Sequence, residues 1–206
     1  LSHLLEVAGH NPGFLIGALP LDFPQGGRLG NGSAFVIEGD EYDSAFFDKR
    51  SKFLHYFPRT LLLGTVEYDH ADIFPTMDDM LLSFRRLLRL LPRNGKLIYV
   101  ADCEATVELA AAAPCPTTSV GTNDTCAWQL LPDIKGLAFR DPSGETHHWQ
   151  YDLPGQHNRL NALMSLAATM SFGGDLSTYE EGLATFRGLR RRLETLYTSE
   201  VAVVYD

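Results

Sequence analysis

Short β-rich runs alternate with helical patterns along most of this chain, and this alternation constrains the fold more than any other feature. Runs with strand character lie at residues 14–16, 34–38, 61–66 and 96–101. Apolar residues at spacings of three and four predict a helix over 77–91, with charged residues on its other side. Strands joined by crossover helices are typical of a mostly parallel sheet. We therefore predict an α/β fold in which a mostly parallel sheet is flanked by helices.

Three further helices are predicted from apolar spacing, and two of the helix starts carry capping residues. These helices lie at residues 102–113, 156–172 and 178–186. Thr76 precedes the helix at 77–91 and is expected to cap it. Ser177 and Glu180 have the spacing of a capping box, which places the start of the last helix at residue 178.

Two segments depart from this alternation. Residues 117–151 contain short strand-like runs around an Asp-Pro-Ser-Gly turn, which predicts a small antiparallel β insertion. The glycine-rich segment 26–32 follows no strand and opens no helix, so we predict a surface loop there. No Gly-Lys-Thr/Ser loop of the kind that cradles phosphates occurs anywhere in the sequence.

The composition excludes several classes of function. With 17 Lys+Arg against 26 Asp+Glu the net charge is −9, which disfavours non-specific nucleic-acid binding. The longest apolar runs are far shorter than the roughly 20 residues that cross a bilayer, so no membrane span is predicted. The three cysteines form no Cys-x-x-Cys pair, which favours a cytoplasmic protein without a disulfide framework. Nothing in the sequence indicates the oligomeric state.

Two acidic segments follow predicted strands. Residues 38–41 (Glu-Gly-Asp-Glu) come after the strand at 34–38, and residues 67–72 (Glu-Tyr-Asp-His-Ala-Asp) follow the strand at 61–66. Open α/β folds bind ligands at the carboxyl ends of their strands, so these tips could bring carboxylates and one imidazole to a hard cation and a phosphate. Solvated loop residues are an equally good interpretation. Spacing alone does not choose magnesium over a zinc hydrolase site.

A third cluster lies where a Pro-Gly turn at 154–155 leads into a helix. His157, Asn158 and Asn161 fall near the start of that helix, where free N–H groups favour anions and where a ring or an amide can contact a base. Helix capping by Asn158 with an incidental His157 is the alternative.

The densest positive patch comes near the end of the chain. It consists of Arg187, Arg190, Arg191 and Arg192. From the sequence alone a solvated helix end is favoured over a phosphate clamp.

The segments 38–41, 67–70 and 154–162, in this order and at these separations, resemble the central ATP-binding domain of the Mur ligases. Residues 46–53 and 69–74 resemble the branch that joins UDP-N-acetylmuramate to the tripeptide L-Ala-γ-D-Glu-meso-diaminopimelate in peptidoglycan recycling. The branch that adds L-alanine to UDP-N-acetylmuramate shares the three motifs and ranks second. The resemblance assigns residues 1–186 to the central domain and 187–206 to a linker and the first strand of a C-terminal domain.

The resemblance implies ATP-driven amide formation through an acyl phosphate, with ATP and Mg²⁺ as cofactors and the sugar nucleotide and the tripeptide as substrates. Glu38 and His70 would hold the magnesium ion and carry catalysis, with Asp40 and Asp69 orienting them. The residues implied for the nucleotide are His157, Asn158 and Asn161 at the adenine and Arg192 at the phosphates.

Three departures from the family pattern qualify this reading. Gly39 replaces the usual Ala, and Thr65 stands where Asn commonly precedes the second acidic segment. The family's lysine loop and its UDP-sugar domain are expected before Leu1, so these 206 residues alone are expected neither to ligate nor to turn over ATP. A degenerate nucleotide-binding or assembly module, or a metal hydrolase acting without ATP, remain as alternatives.

Overall fold

The structure is a computed structural model that describes residues 1–133, 135–173 and 175–191, together with the backbone of 195–198 and 203–205. The helices are α1 (Ser2–Val7), α2 (Met77–Leu88), α3 (Glu104–Ala111), α4 (Gln156–Thr169) and α5 (Glu180–Ala184). Short 3₁₀ helices lie at Lys52–His55, Met170–Phe172 and Leu176–Tyr179. Every helix in the described part of the chain is too short or too polar to cross a lipid bilayer.

The first strands form two small sheets. These strands are β1 (Gly13–Leu15), β2 (Gly27–Arg28), β3 (Phe35–Ile37), β4 (Asp43–Ala45) and β5 (Asp48–Ser51). β1 lies in the middle of a three-stranded sheet, antiparallel to β2 and parallel to β3. β4 and β5 form a separate antiparallel hairpin.

The main sheet has six strands. They are β6 (Thr60–Leu63), β7 (Lys96–Val100), β8 (Thr117–Gly121), β9 (Trp128–Leu130), β10 (Gly136–Arg140) and β11 (Thr146–Gln150), in that spatial order. β6 to β9 are parallel neighbours, whereas β10 is antiparallel to both β9 and β11. The predicted α/β fold with a mostly parallel sheet and an antiparallel insertion is confirmed.

The predicted strands at 14–16 and 34–38 do not belong to this main sheet. Within the described residues no hydrogen-bonded ladder joins the three-stranded sheet to the six-stranded one. The two runs pair with each other instead, in parallel and in the register Phe14 opposite Val36. A loop containing β2, rather than a crossover helix, connects them.

The alternation of side chains along β7 separates two apolar layers. Leu97 packs with residues of α2 and α3, whereas its neighbour Ile98 and then Val100 pack with residues of α4. Leu97 and Ile98 are fully buried, because successive side chains of a strand point to opposite faces of the sheet. Both faces of the parallel part are therefore covered, as parallel sheets require.

The aromatic residues of the antiparallel strands form one cluster. The ring of Phe139 on β10 stacks on Trp128 at 5.9 Å between centroids and meets Trp149 edge-on at 5.1 Å. Phe139 is fully buried, and both indoles are almost fully buried. Aromatic pairs with these geometries add to the stability that their buried area supplies. The cluster therefore anchors the antiparallel insertion to the rest of the core.

The start of α2 agrees with the sequence-based prediction, but its end does not. The Thr76 hydroxyl accepts a hydrogen bond from the Asp79 amide at 3.2 Å, which confirms the predicted cap. The helix ends at Leu88 instead of residue 91, because the amides of Leu90 and Leu91 bond carbonyls only three residues back. This tighter turn ends the helix before Pro92, which cannot continue it.

Two other predictions of local structure are wrong. The capping box does not form, because Ser177 lies inside a 3₁₀ helix and Tyr179 is the N-cap of α5. Tyr179 is fully buried and its hydroxyl donates to the carbonyl of Gly173 at 3.1 Å, so tertiary packing places this helix start. The glycine-rich segment is also more than a surface loop, since it contains β2. Arg28 of β2 pairs with Glu6 and its guanidinium lies 5.3 Å from the centre of the Phe14 ring.

The end of the described chain forms a short antiparallel pair, β12 (Thr195–Thr198) with β13 (Val203–Tyr205). The sequence analysis expects a linker and a strand within residues 187–206, and both β12 and β13 lie in that segment.

Candidate nucleotide and metal site

The two acidic segments meet in the structure. The carboxylate of Glu41, in the segment after β3, lies with Oε1 2.8 Å from Nε2 of His70, in the segment after β6. His70 has a positive φ of 54°, and its amide donates to Oδ1 of Asp69 at 2.7 Å. Histidine tolerates this backbone region better than most residues, and the Asp69 contact supports the turn. The predicted convergence of the two strand tips therefore occurs through Glu41 and His70.

Glu38 is held at the end of the three-stranded sheet. Its amide donates to the carbonyl of Leu15 at 3.1 Å, and its Oε2 accepts a hydrogen bond from the amide of Gly17 at 2.6 Å. The Glu38 side chain is exposed and lies above the end of β1. The Gly17 amide thus fixes one carboxylate oxygen of Glu38, which orients the other oxygen and leaves it outside this hydrogen bond.

Asp40 is engaged by a lysine rather than by His70. Nζ of Lys52 lies 3.0 Å from Oδ2 of Asp40, and this hydrogen bond raises the pKa of Lys52. The hydrogen bond to Asp40 also raises the pKa of Tyr42. The Tyr42 ring meets the His70 ring edge-on at 6.0 Å. Glu41 belongs to the acidic segment 38–41, whereas the sequence assigns no role to Tyr42, which directly follows that segment, or to Lys52 in the segment 46–53.

The two acidic segments are better suited to Mg²⁺ than to a metal that needs several protein ligands close together. In the described part of the chain, the one compact group of three candidate ligands is Asp141, Glu145 and His147, at the turn between β10 and β11. Oδ1 of Asp141 already accepts hydrogen bonds from Ser143 and Glu145 and builds that turn. The acidic segments offer exposed carboxylates instead. Mg²⁺ takes one or two protein carboxylates and completes its shell with water and substrate phosphates, so an open acidic edge suits it.

Asn158 and Asn161 line one cavity. It has a volume of about 230 Å³, and its polar lining also includes Ser165. Nδ2 of Asn158 donates to the carbonyl of Pro154 at 2.7 Å, which closes the turn before α4. Gly155, the N-cap of α4, has a φ of 94° that favours glycine. A helix start and two amides thus border a space large enough for a planar ring.

The walls of this cavity are mostly apolar. Tyr151 and Leu153 contribute to the lining, and the Tyr151 hydroxyl donates a hydrogen bond to the carbonyl of Asn158 at 3.2 Å. Burial raises the pKa of Tyr151, so its hydroxyl keeps its proton and remains a donor. Leu4 of α1, Phe186 and Leu189 also line the cavity.

Comparison with known proteins assigns the family. The family model for the Mur ligase middle domain matches residues 29–169. The chain belongs to the Mur ligase family. It is 37% identical over 98% of its length to the UDP-N-acetylmuramate–L-alanyl-γ-D-glutamyl-meso-2,6-diaminoheptandioate ligase of Escherichia coli K12, and it covers 45% of that protein. It is 30% identical over its whole length to the UDP-N-acetylmuramate–L-alanine ligase of Caldanaerobacter subterraneus subsp. tengcongensis, again covering 45%.

A solved Mur ligase has the same fold. The crystal structure of the UDP-N-acetylmuramate:L-alanyl-γ-D-glutamyl-meso-diaminopimelate ligase of Neisseria meningitidis superposes with a TM-score of 0.82 at 36% identity. The match covers 92% of this chain and 62% of that one. The chain therefore spans about half the length of the curated relatives it matches.

The nucleotide residues expected for a Mur ligase are only partly brought together. Asn158 and Asn161 share the cavity, whereas the exposed His157 ring folds back over Gly155 and does not line it. Arg192 lies outside the described residues. Of the arginine patch, Arg187 forms an ion pair with Asp22, with Nε 2.8 Å from Oδ1.

Proposed function

We propose that the intact protein is an ATP-dependent ligase that joins UDP-N-acetylmuramate to the tripeptide L-Ala-γ-D-Glu-meso-diaminopimelate. The observation that carries the proposal is the contact of Glu41 with His70, because it brings both acidic segments of a Mur ligase to one place. The substrates are those in the name of the Escherichia coli relative. The cysteine pattern favours the cytoplasm, and we expect the protein to act there.

The proposed reaction has two steps. A lactyl carboxylate oxygen attacks the γ-phosphorus of ATP, the bond to the bridging oxygen breaks, and ADP leaves with an acyl phosphate formed. The amino nitrogen of the tripeptide then attacks the acyl carbon, the carbon–oxygen bond to phosphate breaks, and the amine gives up a proton to solvent. The first step brings a carboxylate up to the polyanionic ATP in a chain of net charge −9, so positive charge must be supplied locally.

We propose that Glu38 and His70 hold Mg²⁺, which would offset the phosphate charge in the first step. Asn158 and Asn161 would hydrogen-bond the edge of the adenine in the cavity between Tyr151 and α1. Further contacts would come from His157 to the adenine and from Arg192 to the phosphates. We also propose the division into a central domain, 1–186, and a following segment, 187–206.

Phosphate release by the intact protein tests this function. It should require ATP, UDP-N-acetylmuramate and the tripeptide together. Glu38→Gln and His70→Gln should each lower kcat at least about 100-fold, as loss of a group that stabilises transition-state charge does. Glu181→Gln changes an exposed carboxylate on α5 and serves as the control. Unchanged kinetics in both site variants, with folding verified by circular dichroism, would remove them from the site.

A second candidate is the ligase that adds L-alanine, which the 30% identical relative supports. Substituting L-alanine for the tripeptide in the same assay separates the two. Faster turnover with L-alanine would favour the second candidate. Absence of nucleotide binding would favour a degenerate module, and hydrolysis without ATP would favour a metal hydrolase.

A further inference from the structure

The segment that forms one wall of the cavity is tied to a loop near the start of the chain. Nε of Arg187 lies 2.8 Å from Oδ1 of Asp22, and the Arg187 amide donates to Oδ2 at 3.1 Å. The guanidinium also donates to the carbonyl of Leu21. The Asp22 side chain is only 6% exposed, whereas that of Arg187 is 65% exposed. A nearly buried carboxylate is thus paired with a mostly solvated guanidinium.

Backbone hydrogen bonds continue this contact on both sides of the ion pair. The amide of Leu21 donates to the carbonyl of Gly188, and the amide of Arg190 donates to the carbonyl of Leu19, each at 3.0 Å. Pro20 and Leu189 form an antiparallel bridge between these bonds. The loop 19–22 and the segment 187–190 therefore behave as one short two-stranded clasp.

The clasp fixes residues that line the cavity. Gly188 and Leu189 lie in its second half and Phe186 directly precedes it, and all three line the same cavity as Asn158 and Asn161. Gly188 has a φ of 90°, and a Cβ there would lie 3.2 Å from Cδ2 of Leu153, so the segment packs closely against Leu153, which also lines the cavity. Release of the clasp would therefore free this wall.

His3 of α1 also lies beside the Asp22 carboxylate. Nδ1 of His3 lies 3.9 Å from Oδ2 of Asp22, and Nε2 of His3 is hydrogen-bonded to the Thr185 hydroxyl at 3.0 Å. The His3 ring packs 5.7 Å from the Phe186 ring. The carboxylate thus connects α1, the loop 19–22 and the cavity wall.

We propose that Asp22 and Arg187 are positioning residues for adenine-nucleotide binding, which act by holding the wall 186–189 in its binding conformation. The inference rests on the proposed function, in which this cavity receives the adenine. Neither side chain has to touch the nucleotide. Without the ion pair the segment must be ordered when the ligand binds, and that ordering lowers affinity.

Nucleotide binding by the intact protein, measured calorimetrically with ADP and with ATP, tests the inference. Asp22→Asn and Arg187→Gln should each raise the Kd about tenfold, because they loosen several wall residues at once. They should raise the KM for ATP by a similar factor, leaving kcat at saturating ATP and the KM of the other substrates within twofold. Arg187→Lys keeps the positive charge but lacks the planar guanidinium with its several N–H donors. It should recover part of the nucleotide affinity that Arg187→Gln loses.

Arg85→Gln is the matched control. It removes another arginine–carboxylate pair, Arg85 with Glu108 at 2.6 Å, which joins α2 to α3 and does not line the cavity. Its Kd for nucleotide should equal that of the wild type. Equal Kd values in Arg187→Gln and wild type would overturn the positioning role, and so would a lower kcat with unchanged KM. Failure of the wild type to bind either nucleotide would instead refute the proposed function.

Discussion

Asn158 and Asn161 line the same cavity but should respond differently to truncation. The amide of Asn158 donates to the Pro154 carbonyl at 2.7 Å, so Asn158→Ala removes a contact that shapes the turn as well as a group at the cavity. Asn161 is exposed at the cavity, and its side chain is expected to contact only the ligand. A net hydrogen bond contributes about 1 kcal/mol, which is about a fivefold change in an equilibrium constant.

Asn161→Ala should therefore weaken ATP binding about fivefold with the same free energy of unfolding as the wild type. Asn158→Ala should show a similar loss of affinity together with about 1 kcal/mol lower stability. Calorimetric titration and urea unfolding of the intact protein give the two quantities. Glu181→Gln, which changes an exposed carboxylate on α5 that does not line the cavity, is the control and should match the wild type in both quantities. Wild-type affinity in Asn161→Ala would refute the assignment of this cavity to the adenine.

Three further predictions concern stability. Thr76→Ala should lower the free energy of unfolding by about 1 kcal/mol in urea titrations, and Thr76→Ser should restore it; equal stability of all three would refute the cap. Gly32→Ala should cost about 1–3 kcal/mol, because its Cβ would overlap the His10 carbonyl oxygen, whereas Gly64→Ala meets nothing within 4 Å and should be tolerated in thermal unfolding. Burial lowers the pKa of His3 from 6.5, so folding favours the neutral ring. The free energy of unfolding should therefore fall as the pH drops below about 6.5. The same dependence of stability on pH in His3→Gln as in the wild type would count against this.

Much of the fold could be predicted from the sequence, because its signals are local. The alternation along β7 and the apolar spacing of α2 each follow from a run of neighbouring residues, and both elements were found within a few residues of their predicted bounds. The predictions failed where tertiary packing decides. The start of α5 depends on burying Tyr179, and the pairing of β1 with β3 outside the main sheet depends on contacts that no local pattern encodes.

The meeting of the two acidic segments could be predicted from the sequence, but the residues that make the contact could not. The acidic segments were found because strands end before them, yet the choice of Glu41 as the partner of His70 depends on how two loops fold toward each other. The pair of Asp22 and Arg187 is separated by 165 positions and joins residues that carry no recognisable motif. Contacts of this kind are fixed by the whole fold, and a single sequence gives no signal for them.

The aromatic cluster around Phe139 determines what tryptophan fluorescence can report on this protein. Trp128 and Trp149 are the chain's two tryptophans, and both pack on that one ring. β10 and β11 pair across a short turn, so they can form within microseconds, whereas each parallel pair must wait for its longer connection to close. An early change in emission during refolding would therefore follow the antiparallel end of the sheet, and the meeting of the two acidic segments beyond β3 and β6 needs a separate probe.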